Sequence, residues 1–163
     1  MGRCFSGLGN GIFNLGVCIC FPLDQVMQFY LNGAEATLTD FARDDLARAV
    51  VNSLFSWARA EEDDKRPGES KMGWWADSFS DEGDKFGSRL WLLMRSSRTS
   101  EDIALAEEYA LEALQWMLDD NIAAEIKTAA ELDSFERLNL QIEIVRPDGK
   151  SLTARFADVW SEL

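Results

Sequence analysis

An α+β fold is what this 163-residue chain predicts, with two main helices packed on a small antiparallel sheet and a C-terminal β meander. Two observations carry that expectation. Leu138 to Val145 (Leu-Asn-Leu-Gln-Ile-Glu-Ile-Val) alternates apolar and polar residues, as a strand with one buried and one wet face does. Residues 45–60 and 101–119 instead repeat apolar side chains every three or four positions, the pattern of amphipathic helices. The strand-like segments lie at the two ends and the helices between them, so the elements segregate rather than alternate.

Residues 1–24 read as an N-terminal arm and residues 25–163 as one domain. The arm loosely imitates a signal peptide. However, Gly2, Gly7, Gly9 and Gly11 interrupt its apolar run, and no Ala-x-Ala cleavage site follows. Gln25 to Leu31 reads as a strand, Asn32-Gly33 as a two-residue hairpin turn, and Ala34 to Leu38 as the return strand. A helix is expected over Asp45–Ala60, ended by a charged run and Pro67-Gly68. Residues 73–84 look irregular, and Phe86 to Ser96 looks like a short buried helix. Thr99 is the expected N-cap of a helix over Glu101–Asp119, with Glu101 and Asp102 suited to the positive end of its dipole. A strand over Ile122–Ala130, the alternating strand, the Arg146–Lys150 turn and a return strand with Leu152, Ala154 and Phe156 inward complete the meander.

Composition narrows the function classes. Against 16 basic residues stand 29 acidic ones, for a net charge of −13. Such a chain is repelled by nucleic-acid phosphates and by anionic membrane surfaces, so neither is expected as a partner, whereas a basic protein is compatible. No run of 18 apolar residues occurs, so no membrane span is expected. Histidine is absent, which removes Ser-His-Asp and Cys-His catalysis and His-ligated zinc. The three cysteines, Cys4, Cys18 and Cys20, all lie in the arm. They form no Cys-x-x-Cys pair, and two readings stand: reduced thiols, or a bond to a neighbouring subunit.

The least ordinary stretch is Lys71 to Leu93, KMGWWADSFSDEGDKFGSRLWLL. Asp77, Asp81, Glu82 and Asp84 lack the spacing of a calcium loop and read as a solvated acidic loop. Carboxylate pairs for a glycosidase are unavoidable by chance among so many acids, and no flanking pattern marks one. Gly7-x-Gly9 lacks the spacing and preceding strand of a phosphate cradle. No catalytic residue, metal or cofactor is therefore expected. Trp57, Trp91 and Trp116 fall within expected helices and read as core, and Trp160 closes the last strand. For Trp74 and Trp75 in the irregular loop, both loop anchoring and partner contact stay open.

Taken in order, Gly73-Trp74-Trp75 to Leu93, Leu105 to Ala123 and the Arg146-Pro147-Asp148-Gly149 turn resemble the small tail baseplate proteins of phage Mu and its relatives. Val50 to Asp64 resembles the segment upstream of the Gly-Trp-Trp motif there. The likeness covers residues 27–162. Through Phe86-Gly87-Ser88 it extends distantly to the lysozyme-like wedge protein of T-even phage baseplates and its type VI secretion counterparts. Those relatives carry Glu-Pro-Arg after the second helix, where this chain reads Met117 to Ile126 without it.

The resemblance implies a baseplate wedge domain over 25–163 in a contractile tail. It implies a virion location after synthesis in the host cytoplasm, and six copies around the tube. The partners would be other wedge proteins, the tail tube or hub and the first sheath ring, whose assembly the chain would help to seed. Trp74, Trp75, Asp77, Phe86, Gly87, Ser88 and Arg89 are the motif positions expected to meet partners. Cys4, Cys18 and Cys20 are the candidates for an intersubunit disulfide. An exposed edge of the meander would accept a strand from a sheath or wedge partner, with Arg137 and Glu143 discouraging self-pairing. The alternative is a small carboxylate-dependent lysozyme-type hydrolase.

Overall fold

The hairpin encoded by Asn32-Gly33 is present in the computed structural model, which describes residues 27–65, 73, 86–96, 99–133 and 137–161. Strands β1 (Gln28–Leu31) and β2 (Ala34–Ala36) pair antiparallel. Asn32 and Gly33 take φ of 51° and 82°, as a tight two-residue turn requires. The return strand is shorter than expected because Thr37 opens a helix instead. Its N–H donates to Asp40 Oδ2 at 2.9 Å, at the head of α1 (Leu38–Arg43).

Asp44 then caps α2 (Asp45–Phe55), its Oδ1 accepting from the N–H groups of Leu46 and Ala47, both at 3.0 Å. This helix stops at Phe55, short of Ala60. Past it the backbone is drawn into extended pairing: Ser88 N–H donates to Ser56 O at 2.8 Å, and Ala58 N–H to Ser88 O at 3.0 Å. Trp57 therefore lies outside any helix and is 41 % exposed, not a core residue. The short buried helix is a 3-10 helix over Arg89–Arg95, with Leu90, Trp91, Leu92 and Leu93 all buried.

α3 (Ser100–Asp119) starts at Thr99, as the spacing predicts. Thr99 N–H donates to Asp102 Oδ2 at 2.7 Å, and Asp102 N–H returns to Thr99 Oγ1 at 3.4 Å. Asn121 at φ 57° ends the helix, and the N–H groups of Ile122 and Ala123 turn back to Met117 O at 2.9 Å. Those residues close the helix, so β3 runs over Glu125–Leu132 rather than from Ile122. β4 (Leu138–Val145) and β5 (Ser151–Ala157) fall where alternation puts them, and Gly149 takes φ 81° in the turn between them. Trp160 lies beyond β5 in a one-turn 3-10 helix (Val159–Ser161).

The sheet has the order β2-β1-β5-β4-β3, with every neighbour antiparallel. Leu138, Leu140, Ile142 and Ile144 of β4 and Leu152, Ala154 and Phe156 of β5 face one side and are buried. The helices cover that side with Phe41, Val50, Leu54, Ala110, Leu114 and Met117. Phe156 meets Phe29, Phe41 and Phe55 at centroid distances of 6.0, 5.7 and 5.3 Å. Burying such side chains stabilises the fold by about 1.5–3 kcal/mol each. The opposite face is wet. There Arg155 reaches Glu131 at 3.2 Å and lies 5.9 Å over the Tyr30 ring.

Among the described residues the two edges are β2 and β3, while β4 is interior. Arg137 precedes this interior strand and Glu143 lies within it, so neither guards an edge. That part of the edge expectation is corrected. The residue that touches the β3 edge is Glu107 of α3, whose Oε1 accepts from Ala130 N–H at 2.8 Å.

Candidate functional site

Four of the seven motif residues lie in the described structure. Trp74, Trp75 and Asp77 lie outside it, as do Cys4, Cys18 and Cys20. Phe86, Gly87, Ser88 and Arg89 form a sharp turn wedged between the end of α2 and the middle of α3. Gly87 takes φ 103°, and a Cβ there would sit 2.5 Å from Ser56 O and 2.9 Å from Ala58 N. Only glycine tolerates both conditions. Gly73 does similar work one loop earlier: at φ 103°, a Cβ would lie 2.7 Å from the Cβ of Arg59. Thus the glycine before the tryptophan pair and the glycine of the turn press on the same extended segment, residues 56–59.

Ser88 is buried and serves both sides of the turn. Its Oγ accepts from Leu90 N–H at 3.1 Å, which caps the 3-10 helix, and donates to Tyr109 O at 3.3 Å. Arg89 then enters a carboxylate clamp. Its Nη1 donates to Asp64 Oδ1 at 3.0 Å, and its Nε and Nη2 donate to Glu112 Oε2 at 3.0 and 2.6 Å. The guanidinium lies 4.6 Å from the centre of the Tyr109 ring. The side chains of Arg89 and Asp64 are only 15 % and 10 % exposed, so this pair is largely desolvated. Burial pulls the guanidinium's proton affinity down, but Glu112 and Asp64 raise it by more, and Arg89 keeps its charge. Burial, then the charge of Asp64, raises the Tyr109 phenol above its ordinary value.

Asp64, Tyr109 and Glu112 were not among the expected site residues. Tyr109 and Glu112 are three positions apart on α3 and so share a face. That spacing was a usable signal, whereas nothing local marks Asp64 among its acidic neighbours. A narrow pocket of about 110 Å³ opens beside the clamp, lined by Arg59, Glu61, Gly87 and Arg89 among others. Trp57 and Phe86 flank the turn on its outer side, 41 % and 42 % exposed. Trp57 lies over buried Trp91 at 6.3 Å, and Trp91 Nε1 donates to Ala58 O at 2.8 Å.

Fold and turn together define a class: a small α+β protein whose signature turn is braced from within by charge and shows aromatic rings outward. The family profile described as Phage protein GP46 matches residues 46–151, which span α2, the turn, α3 and the meander as far as the start of β5. A Mu-like prophage FluMu protein gp46 of Haemophilus influenzae is 36 % identical over 79 % of this chain and 87 % of its own length. The baseplate protein gp46 of Escherichia phage Mu is 37 % identical over 73 % of this chain and 80 % of its own. The chain belongs to this family of phage proteins, whose member in phage Mu is a baseplate protein.

Proposed function

We propose that this chain is a non-enzymatic structural subunit of a contractile-tail baseplate, sitting in the wedge and helping to seed the first sheath ring. The observation that carries the seeding role is the β3 edge. β3 is eight residues long, pairs with β4 on one side, and stands at the end of the sheet. Ala130 N–H bonds Glu107 rather than β4, so it points away from the ladder. The two-residue repeat aims Ile126 and Thr128 N–H the same way. A strand from a sheath or wedge partner would add there, displacing the Glu107 carboxylate from Ala130 N–H.

The baseplate role of the phage Mu relative supports this reading. So does the use made of Asp64 and Glu112, which hold Arg89 in a clamp rather than standing as an acid and a nucleophile. The motif turn is the second contact surface, where exposed Trp57 and Phe86 would meet other wedge proteins, and Trp74 and Trp75 are proposed to join that contact. The acidic surface favours basic partners and speeds their encounter.

Thr128→Pro tests the edge. It removes an outward N–H, and with it the Oγ1 bond to Glu107 O at 3.2 Å, while leaving the bonds to β4 intact, a place where a strand tolerates proline; Thr128→Val, which loses the Oγ1 bond alone, is the control. The variant should fold as a monomer by circular dichroism, yet phage carrying it should make baseplates without sheath. Fully sheathed tails from a folded Thr128→Pro protein would sink the proposed seeding role.

A further inference from the structure

We infer that the groove between α2, the C-terminal end of α3 and the β4–β5 turn is the receiver for the N-terminal arm of a second copy of this chain. The groove encloses about 610 Å³ and is open to solvent. Leu46, Ala49, Trp116 and Ile122 give it apolar surface, and Arg43, Asp44, Asp45 and Arg146 complete the lining with charges of both signs. Trp116 and Ile122 are 38 % and 40 % exposed. The Trp116 indole N–H is already committed to Ser53 Oγ at 3.1 Å, so what the ring offers is apolar surface.

The occupant follows from the chain outside the described residues. Residues 1–23 contain Phe5, Ile12, Phe13, Leu15, Val17, Ile19 and Phe21, and Arg3 is their only charged side chain. All 29 acidic residues lie at or beyond Asp24. Two acidic bodies repel each other, but this segment meets an acidic body without that penalty.

Polarity of the sheet favours a neighbour over the same chain. Gln28 pairs with Ala157, at the end of β5 remote from the β4–β5 turn. The groove lies at the turn end, where Arg146 reaches Asp44 at 3.6 Å. To fill its own groove, the arm would have to turn back along the whole sheet. A neighbour set head-to-tail presents its groove at the end where the arm joins β1. Such heterologous contacts close into a ring where the rotation between successive copies permits it. The inference concerns contacts between copies and does not depend on the proposed β3 edge.

All three native thiols lie in the arm, so one thiol placed in the groove reads out its occupancy. The probe is the full-length Ile122→Cys chain, mixed from isotopically light and heavy preparations, mildly oxidised and mapped by mass spectrometry. The expected products are light–heavy hybrids joining the introduced thiol to Cys4, Cys18 or Cys20. Gln141→Cys, on the wet face of the sheet, should give few. Adding Ala49→Glu should lower the hybrid yield about tenfold, because an apolar arm would have to desolvate the new carboxylate. Links confined to single chains would show the arm folding back in cis and would overturn the inference. So would an absence of links, or equal linking through Gln141→Cys.

Discussion

At the scale of single residues, the turn depends on atoms that leave no room. Gly87→Ala combines a backbone angle that costs side chains about 1–3 kcal/mol with overpacking of about the same size. A loss of about 3 kcal/mol is expected, seen as a melting temperature about 6–12 °C lower. An unchanged melting temperature would mean the turn relaxes freely. Tyr109 sets a different expectation. Its phenol is raised in the folded state, so the folded protein holds that proton more tightly than the unfolded chain does. The associated stability is full below the unfolded value of about 10 and is lost as pH rises through the folded value. Thermal melts between neutral and strongly alkaline pH should therefore fall more steeply for the native chain than for Tyr109→Phe. Parallel curves would contradict the shift.

At the scale of elements, what was legible was whatever repeats. β4, β5 and α3 announce themselves because one face of each is buried, and burial imposes a period of two or of nearly four on the sequence. Thr99 was legible as a cap because its partner Asp102 lies three positions on. What escaped was set by distant partners. α2 stops at Phe55 because Ser56 and Ala58 bond Ser88, a pairing across more than a loop's length that no local pattern carries. α1 overlaps the expected return strand only at Leu38, and the rest of it fell where no element was expected. The clamp on Arg89 needs Asp64 and Glu112 from two other segments, and only the Tyr109–Glu112 spacing hinted at it. The edge of the sheet was misplaced onto β4 because alternation identifies strands but not their order. Glu107→Ala tests the element that does border the edge. It leaves Ala130 N–H unbonded, should cost about 1 kcal/mol, and should raise self-association in sedimentation equilibrium. A variant that stays as monomeric as the native chain would show that Glu107 does not shield β3.

At the scale of the whole molecule, the buried apolar residues of the described core run from Met27 to Val159. An arm that docks on a second copy stands outside this core, so deleting residues 2–22 should leave the unfolding midpoint of the monomer in urea unchanged within error. A fall of more than about 1 M, several kcal/mol at ordinary slopes, would make the arm part of this core. Sheet order has a further consequence, for timing. β1 is sandwiched between β2 and β5, so the first of the described strands to be made waits for the last: Asn32 and Thr153, which bond each other, are 121 residues apart. At about 5–20 residues per second of synthesis, that wait lasts roughly 6–24 s. Meanwhile the newborn hairpin has one edge with nothing to join, and closing so long a loop is slow even afterwards. A ribosome-bound chain that stops before Ser151 should accordingly remain open to protease at Phe29, however complete its helices are.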